Sequence, residues 1–274
     1  MVSSVRPTHE ARLDAIAPLL VARVAGIPLA CVDVARAVDA VIDGLAARSL
    51  KVHVLVNAHS AKLRRESPEY ASLLADTDRC VNLPDGASVT YAARLLGYGD
   101  IGRCPGPDLM EAICARAAAG GIGVFFLGGA EGVAKQLAQS LKERHQGLIV
   151  AGTATPPFGE WPEEESHRLV RAVKDSGARI LFMGVSAPKQ EIWAYEHLDQ
   201  LNMPIVCVGA AFDFAIGRKS RAPRWMRRMG LEWVHRLVTE PGRMWKRYLV
   251  GNTQFVWDVI RFGRKLAPPP RERT

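Results

Sequence analysis

The chain has 274 residues, of which 48% are hydrophobic and 23% are charged. This length allows one large or two small domains with a substantial core, and the composition is that of an ordinary soluble globular protein. The net charge of +8 is uneven: residues 218–274 contain fifteen lysines and arginines against four acidic residues, a net of +11, which leaves −3 for residues 1–217. The basic segment predicts an anionic partner such as phospholipid, nucleic acid or a phosphorylated ligand, or else a solvated helical face.

The cysteine pattern and the hydropathy narrow the class of protein further. The five cysteines are scattered and odd in number, which fits neither a disulfide framework nor a zinc site and predicts a reducing cytoplasm. The most apolar early run, residues 15–35, is interrupted by Arg23, Pro28 and Asp33. We therefore predict neither a signal peptide nor a transmembrane helix, so that any membrane contact is peripheral.

The first third of the chain predicts short strands and helices in alternation. Residues 1–26 lack strong periodicity and predict a loosely ordered N-terminal lead. Asn57 and the turn Pro84-Asp85-Gly86 each follow an apolar strand, and a loop rich in glycine and proline covers Gly97–Pro107. The predicted strands are Ile27–Val32, Val52–Val56 and Cys80–Leu83, and the predicted helices are Val34–Ala47, one helix from Ser60 or Ala61 to about Ala75, and Ala87–Leu96.

From Asp108 the alternation becomes regular. Helices of about a dozen residues alternate with short apolar strands, a pattern typical of βαβ units on a parallel sheet with helices on both faces. We therefore predict an α/β, Rossmann-like catalytic body over residues 27–217. The later predicted strands are Gly123–Leu127, Leu148–Gly152, Arg179–Val185 and Ile205–Val208, and the later helices are Asp108–Ala119, Glu131–His145, Glu163–Ser176 and Pro188–Leu201.

The parallel sheet predicts where a ligand binds. Right-handed crossovers bring the carboxyl ends of all parallel strands to one edge of the sheet, where ligands of such folds bind. Five polar or glycine-rich segments follow the predicted strands and are expected to meet at this edge. They are Asn57, Asp85, Gly128-Gly129, Ser186–Gln190, and Gly209–Asp213, which adds Asp213 to the predicted site.

Two of these segments could bind phosphate. Gly128 and Gly129 precede a helix whose first N–H groups can bind an anion, with a tight structural turn as the alternative. Lys189 can meet a phosphate and Gln190 can hydrogen-bond a sugar or a base, with an ordinary helix start as the alternative. An NAD site would need an acidic residue at the end of the next strand, where the chain has Ala151–Thr153. We therefore favour a nucleotide diphosphate in another pose.

The acidic residues suggest a base but no metal site. Asp85 is a candidate general base, with a local turn cap as the alternative. Asn57 is either a turn residue at the strand end or a donor to the ligand. The triplet Asp76-Thr77-Asp78 resembles the metal-binding Asp-x-Asp motif but precedes its strand, which should put it on the opposite edge of the sheet. We predict a helix-end turn there, and no metal or other cofactor.

Residues 218–274 predict a helical, basic appendage. Arg224, Arg227 and Arg228 share one helical face and could grip a pyrophosphate. The tryptophans beside these cations are typical of an amphipathic segment at a membrane interface, whereas no recognised nucleic-acid module is visible. We therefore expect an anionic membrane surface, and not nucleic acid, as the partner of the appendage.

The order of these motifs resembles the WecG/TagA/CpsF family of bacterial glycosyltransferases, glycosyltransferase family 26. The resemblance covers roughly residues 27–256, and its most specific part is residues 209–252. The motifs that carry it are VNAHS at 56–60, LPDG at 83–86, FLGG at 126–129, APKQE at 187–191, GAAFDFAIGRKSRAPRWMRRMGLEWVHRL from Gly209, and EPGRMWKRYLVGN from Glu240.

The resemblance implies a specific reaction. It implies inverting, metal-independent transfer of a sugar from a UDP-sugar to a polyprenyl-diphosphate-linked acceptor at the cytoplasmic membrane face, in cell-surface or exopolysaccharide biosynthesis. The sugar would be N-acetylmannosamine, its uronic acid or a related hexose, and a homo-oligomer is left open. The implied roles are general base for Asp85, sugar-nucleotide binding for Asn57 and Gln190, and completion of the site with diphosphate binding for Arg221, Arg224 and Arg228.

This chain departs from the family pattern at two points. The family often has threonine two residues before the asparagine, where this chain has Leu55. A loop that often reads Val-Thr-Gly-Ser-Asp reads Cys104-Pro105-Gly106-Pro107-Asp108 here. Both changes remove hydroxyl groups, so the donor or acceptor is expected to differ from that of the N-acetylmannosamine transferases.

Two other classes of protein compete with the transferase on the residues alone. A nucleotide-binding oxidoreductase is disfavoured by the missing ribose-binding acid. A non-catalytic basic module that binds membranes or nucleic acid leaves the five converging segments unexplained.

Overall fold

The computed structural model describes residues 19–99 and 101–263. It confirms the predicted fold class: a six-stranded parallel sheet is flanked by helices, and C-terminal helices follow it. The strands are β1 Val21–Val24, β2 Ile27–Ala30, β3 Val52–Val56, β4 Cys80–Pro84, β5 Val124–Gly128, β6 Val150–Ala154, β7 Ile180–Gly184 and β8 Ile205–Cys207. The helices are α1 Val34–Ala46, α2 Ala58–Glu66, α3 Pro68–Ala75, α4 Ala87–Leu95, α5 Gly106–Gly120, α6 Val133–Arg144, α7 Glu163–Asp175, α8 Lys189–Leu201, α9 Ala211–Ala215, α10 Arg224–Arg228, α11 Glu232–Thr239 and α12 Pro241–Gly263.

Both faces of the sheet are buried, which explains why its strands are mostly apolar, with buried His53 and Asn82 as exceptions. Along β5, Phe125 and Leu127 belong to the core on one face, while Val124 and Phe126 belong to the core on the other. Side chains alternate between faces along a strand, so a strand covered on both sides needs apolar residues at most positions.

The sheet order β4-β3-β8-β7-β5-β6 fixes the location of a crevice. From β3 the chain moves outward to β4, whereas β8 is reached from β7 on the other side. The connections therefore diverge between β3 and β8, and a crevice at such a switch point is where open α/β sheets bind ligands. The last strand of the body thus lies near the middle of the sheet.

The N-terminal hairpin was not predicted. β1 pairs with β2 in a separate antiparallel sheet, joined at Ala25 and Gly26, which both have positive φ. Ala22 and Val24 are buried while Val21 and Arg23 face outward. This alternation is present in the sequence, although Arg23 interrupts the apolar run. β2 belongs to this hairpin and not to the six-stranded sheet. Residues 1–18 of the predicted lead lie outside the described residues.

The single helix predicted up to Ala75 is wrong, because two helices, α2 and α3, occupy this segment. Proline has no N–H and fits the first turn of a helix, so Pro68 ends one helix and begins the next. The Ser67 hydroxyl caps α3 by accepting from the Tyr70 backbone N–H at 3.1 Å.

The C-terminal helices pack on the body through α2. Arg65 forms an ion pair with Asp258 and donates to Gln254 Oε1 at 2.8 Å, both on α12. Phe255 of the same helix is 4% exposed and belongs to the core on one face of the sheet. As predicted, the helical path breaks near Pro241, where α12 begins. No helix in the described ranges is long and apolar enough to cross a membrane.

Gly184, at the end of β7, supplies the first test of this packing. A Cβ at this position would lie 2.4 Å from Phe212 Cδ2, whereas at Gly123 the nearest atom would be at 3.7 Å. We predict that Gly184→Ala lowers the free energy of unfolding by about 2 kcal/mol or more, because the buried ring must move. The control Gly123→Ala should stay within about 0.5 kcal/mol of wild type. Urea denaturation measures both values, and equal stability of the two variants would contradict the packing described.

Candidate functional site

A cavity of about 810 Å³ opens at the carboxyl edge of the sheet, at the β3–β8 crevice. It is bounded by the ends of β3, β4, β7 and β8, by the first residues of α8 and α9, and by two residues of the C-terminal helices. The lining residues used below are Leu55, Asn57, Asp85, Gly106, Pro107, Val185, Gln190, Glu191, Gly209, Asp213, Phe214, Lys219, Arg236 and Trp245.

Asn57 and Asp85 form the polar pair at the centre of this edge. β3 and β4 are neighbours with Val56 opposite Pro84, so the residues that follow the two strands lie side by side. Asn57 Nδ2 donates to Asp85 Oδ2 at 3.2 Å. Gly86 permits this approach, because a Cβ there would lie 2.9 Å from Asn57 Cβ.

Asn57 is also the N-cap of α2, and the capping hydrogen bonds hold its side chain in place. Its Oδ1 accepts from the His59 backbone N–H at 3.0 Å, and its own backbone N–H donates to Ser60 Oγ at 3.1 Å. This capping box fixes the orientation of the amide, because the oxygen must face the helix end. The amide nitrogen is thereby turned towards Asp85. Asn57 can therefore be both the turn residue at the strand end and a donor to the ligand.

Opposing effects set the acidity of Asp85. Burial raises the pKa of its carboxyl group above the usual aspartate value, and Glu232 adds to this effect. The guanidinium of Arg236, the hydrogen bond from Asn57 and the charge of Arg103 lower the pKa, in that order. A carboxylate with a raised pKa is a stronger base than a solvated one, while the cations and the Asn57 hydrogen bond limit the rise.

Arg103 joins the Asp85 turn to the C-terminal helices, a role that sequence reasoning missed. Its Nε donates to the Asp85 backbone carbonyl at 3.3 Å and its Nη1 to the Arg227 carbonyl at 3.0 Å. The same guanidinium forms an ion pair with Glu232. Arg103 lies in the loop Gly97–Pro107, and a cation within a loop rich in glycine and proline was the signal that could have identified it.

Arg236 was also missed. It lines the main cavity, and its guanidinium carbon lies 4.9 Å from the centre of the Phe214 ring. A further cavity of about 440 Å³ adjoins Asp85 on the side of the C-terminal helices, lined by Tyr91, Arg103, Trp233, Arg236 and Asn252 among others. Asp85 and Arg236 thus contribute to the walls of both cavities.

The remaining predicted residues differ in their positions. Gln190 and Asp213 line the main cavity, and Asp213 forms an ion pair with Lys219 at 3.3 Å. Lys189 instead contacts the Gly159 carbonyl and lies 3.9 Å from the centre of the Trp161 ring, outside the lining. Arg221 lines a small cavity next to Asp85, where its Nη2 donates to Asp108 Oδ2 at 2.6 Å.

Gly128 and Gly129 also lie outside the lining of the main cavity. The Gly129 backbone N–H donates to the Gly184 carbonyl at 2.9 Å, and a Cβ on Gly128 would lie 2.6 Å from the Gly184 carbonyl carbon. Both have positive φ, so these glycines allow two strand ends to pack closely. The side chains of Arg224 and Arg228, on α10, are outside the described set.

Possible metal ligands are dispersed in the described ranges, where no three His, Cys, Asp or Glu side chains form a group that could hold an ion. Asp76 ends α3, and its carboxylate accepts hydrogen bonds from the Asp78 and Arg79 backbones and from the Tyr195 hydroxyl. The helix-end turn predicted for the Asp76-Thr77-Asp78 triplet is therefore confirmed. The independence from metal stays a prediction.

The fold and the cavity define an α/β protein with a buried acidic residue at the carboxyl edge of its parallel sheet. The model of the glycosyl transferase WecG/TagA/CpsF family matches residues 22–268, most of the chain. The chain therefore belongs to this family and is a glycosyltransferase, which uses a nucleotide-sugar donor and a glycan acceptor. This confirms the resemblance seen in the motifs and rejects both the oxidoreductase and the non-catalytic module.

The opposing effects on Asp85 can be measured directly. Arg236→Gln removes the largest charge that lowers the pKa of Asp85, so we predict that this pKa rises further above the usual aspartate value. Carboxyl ¹³C NMR of labelled aspartate measures it without reference to activity. The control is Arg168→Gln, since Arg168 pairs with Glu165 on the exposed side of α7 and should leave Asp85 unchanged. An equal pKa in all three proteins would contradict the electrostatics described.

Proposed function

We propose that this enzyme transfers a sugar from a UDP-sugar to a polyprenyl-diphosphate-linked acceptor, with inversion at the anomeric carbon and without a metal ion. The reaction belongs to the assembly of a cell-surface or exopolysaccharide. It takes place where the protein associates peripherally with the cytoplasmic face of the membrane through its C-terminal appendage, residues 218–274.

The observation that carries this proposal is the position of Asp85 between two cavities. A transferase must bring two substrates to one reacting centre, and a base must reach the attacking hydroxyl. The cavity of about 810 Å³ at the strand ends suits the nucleotide-sugar, and the cavity of about 440 Å³ beside α10 and α11 suits the acceptor. The Asp85 carboxyl borders both, with Asn57 fixing its orientation.

In the proposed step, Asp85 takes the proton of the acceptor hydroxyl as that oxygen forms a bond to the anomeric carbon. The bond from the anomeric carbon to the donor diphosphate breaks, and its electron pair leaves with UDP. Attack and departure occur on opposite faces of the sugar, which inverts the configuration. Asn57 holds the carboxyl group, and its hydrogen bond to Oδ2 leaves Oδ1 for the acceptor proton.

Cations of the appendage can stabilise the leaving diphosphate without a metal. Arg236 and Lys219 line the donor cavity, and Arg221 lies close to Asp85 in the adjoining small cavity. Guanidinium groups neutralise phosphate oxygens through paired hydrogen bonds, a task that a divalent ion performs in other sugar transferases. We assign Arg224 and Arg228 to the same diphosphate-binding role. We assign Gln190 and Asp213 to binding of the donor.

The two departures from the family pattern face the proposed donor. Leu55, Gly106 and Pro107 all line the main cavity. A Cβ on Gly106 would lie 2.9 Å from Leu55 Cδ1, so the loop and the leucine form one apolar wall. Such a wall disfavours a sugar group that needs hydroxyl contacts there. This supports a hexose other than N-acetylmannosamine as the donor sugar.

The exposed aromatic side chains of the appendage support membrane association. Trp225 and Trp257 are 59% and 65% exposed, and the appendage carries a net charge of +11. Tryptophan favours the interface between headgroups and acyl chains, and lysine and arginine are attracted to anionic lipids. The same cations would also attract nucleic acid. Nucleic acid is therefore the competing partner, and an experiment has to distinguish it from the membrane.

Asp85→Asn tests the catalytic role. We predict that this variant binds UDP like wild type but turns over at least about a hundredfold more slowly, since general-base help has that magnitude. Calorimetry measures binding, and release of UDP from a UDP-sugar in the presence of a lipid-linked acceptor measures turnover. Asp39→Asn, on the exposed side of α1, is the matched control. Turnover within a few fold of wild type would remove Asp85 from this role.

Flotation with vesicles tests the membrane partner. We predict that the full chain floats with anionic vesicles, less so at high salt, and that combined replacement of Trp225 and Trp257 by serine reduces the floated fraction. Ile149→Ser is the control, because Ile149 is 49% exposed but precedes β6 on the opposite edge of the sheet. No flotation, combined with tight, salt-sensitive binding of DNA, would replace the membrane with nucleic acid as the partner.

A further inference from the structure

Two buried polar side chains, Gln190 and Glu191, lie side by side in the wall of the donor cavity. They are 4% and 2% exposed, and both line the cavity. The proposed transfer step gives no role to Glu191. Burying a carboxyl group among apolar residues costs free energy unless its hydrogen bonds are satisfied, so such a residue needs an explanation.

The Gln190 amide is fixed from both ends. Its Oε1 accepts from two backbone N–H groups, Val185 at 3.3 Å and Gly209 at 3.2 Å. Val185 directly follows β7 and Gly209 lies two residues beyond the end of β8, so the amide oxygen bridges two adjacent strand ends. Its Nε2 donates to Glu191 Oε1 at 2.7 Å. The orientation of the amide follows, because an oxygen must face the N–H groups and a nitrogen must face the carboxyl oxygen.

This arrangement leaves one donor for a ligand. An amide nitrogen carries two hydrogens, and Glu191 accepts only one of them. The other is available to the cavity that Gln190 lines. Sugar hydroxyls, phosphate oxygens and uracil carbonyls all supply acceptors for such an N–H group. The direction in which it points depends on the Glu191 carboxyl, which anchors the same nitrogen.

Glu191 is poorly satisfied except through Gln190. Its Oε2 is buried without a hydrogen-bond partner among the described residues. Burial raises the pKa of Glu191 to about 7, so the neutral acid is well populated near neutral pH. Either protonation state still offers Oε1 as an acceptor. The contact to Gln190 is thus the interaction that an apolar residue of similar size would not reproduce.

We propose that Glu191 is a positioning residue for donor binding, which fixes the Gln190 amide so that its second N–H meets an oxygen of the nucleotide-sugar. This inference rests on the proposed role of the main cavity as the donor site. Glu191 acts through Gln190 and takes no part in proton transfer.

The test compares Glu191→Leu with Glu191→Gln in the full chain. Leucine removes the acceptor, whereas glutamine keeps a carbonyl oxygen for Gln190 and loses only the ionisable group. Calorimetry with UDP and with UDP-N-acetylglucosamine should give a dissociation constant raised about tenfold or more by leucine, and changed less than roughly threefold by glutamine. If Glu191→Leu weakens the binding of both probes, the Gln190 contact is assigned to the nucleotide. If it weakens the binding of the UDP-sugar alone, the contact is assigned to the sugar.

Thermal unfolding separates this role from a structural one. The melting temperature of Glu191→Leu should stay close to that of wild type, because removal of a buried carboxyl with an unpaired Oε2 offsets the lost hydrogen bond from Gln190. Weaker donor binding without lower stability is the expected combination. If Glu191→Leu and Glu191→Ala both fail to fold while Glu191→Gln folds, the acceptor oxygen at position 191 serves the fold and the proposal is wrong.

The outcome also distinguishes this proposal from the proposed function. If wild type binds the probes and Glu191→Leu binds them equally well, only the role of Glu191 is overturned. If wild type binds neither probe, nor ADP, GDP, CDP or dTDP, the donor assignment of the cavity fails and the Glu191 proposal fails with it.

Discussion

The burial of the parallel sheet on both faces is the constraint on which the rest of this structure depends. Strands covered on both sides are mostly apolar, so most of the polar groups lie in the residues that follow them. Because all six strands run the same way, these residues meet at one edge. The order of the strands then decides which of them become neighbours. β3 and β4 bring Asn57 to Asp85, while β7 and β8 bring Val185 and Gly209 to the Gln190 amide.

The chemistry at that edge depends on a balance at Asp85. Burial raises the pKa of Asp85 and favours its neutral form, whereas nearby positive charges favour the ionised form. Arg236 and Arg103 lower the pKa of Asp85 against the effect of burial, and Glu232 raises it against the effect of the two arginines. Arg236 and Glu232 come from α11, outside the sheet. The electrostatics of the central carboxylate are therefore completed by the C-terminal helices, which links the acidity of the site to their position.

The C-terminal helices and the site both contact the same helix, α2. α2 begins at Asn57, which orients Asp85, and its last turn contains Arg65, which binds Asp258 and Gln254 of α12. Arg103 makes a second connection, from the Asp85 carbonyl to the Arg227 carbonyl and Glu232. A segment that looks like an attachment in the sequence is thus joined to the edge that carries Asp85 at two points.

The sequence by itself determined the periodic features of this protein. Apolar strands alternating with helices predicted the parallel α/β body, and the rule for strand ends predicted that Asn57, Asp85 and Gln190 share an edge. These inferences succeed because periodicity and local turn chemistry are written in neighbouring residues. The long motif after Gly209 identified the family. The hairpin of β1 and the helix break at Pro68 were also written locally but were not recognised.

Only the tertiary structure decided how residues distant in sequence combine. Arg103 and Arg236 reach Asp85 across 18 and more than a hundred residues, and no local pattern distinguishes them from other arginines. Gly128 and Gly129 fit a phosphate turn by sequence, yet they lie where β5 must pack against Gly184. Lys189 and Gln190 are adjacent, but only Gln190 lines the cavity. Side-chain direction depends on packing against partners from elsewhere in the chain, and sequence spacing does not contain that information.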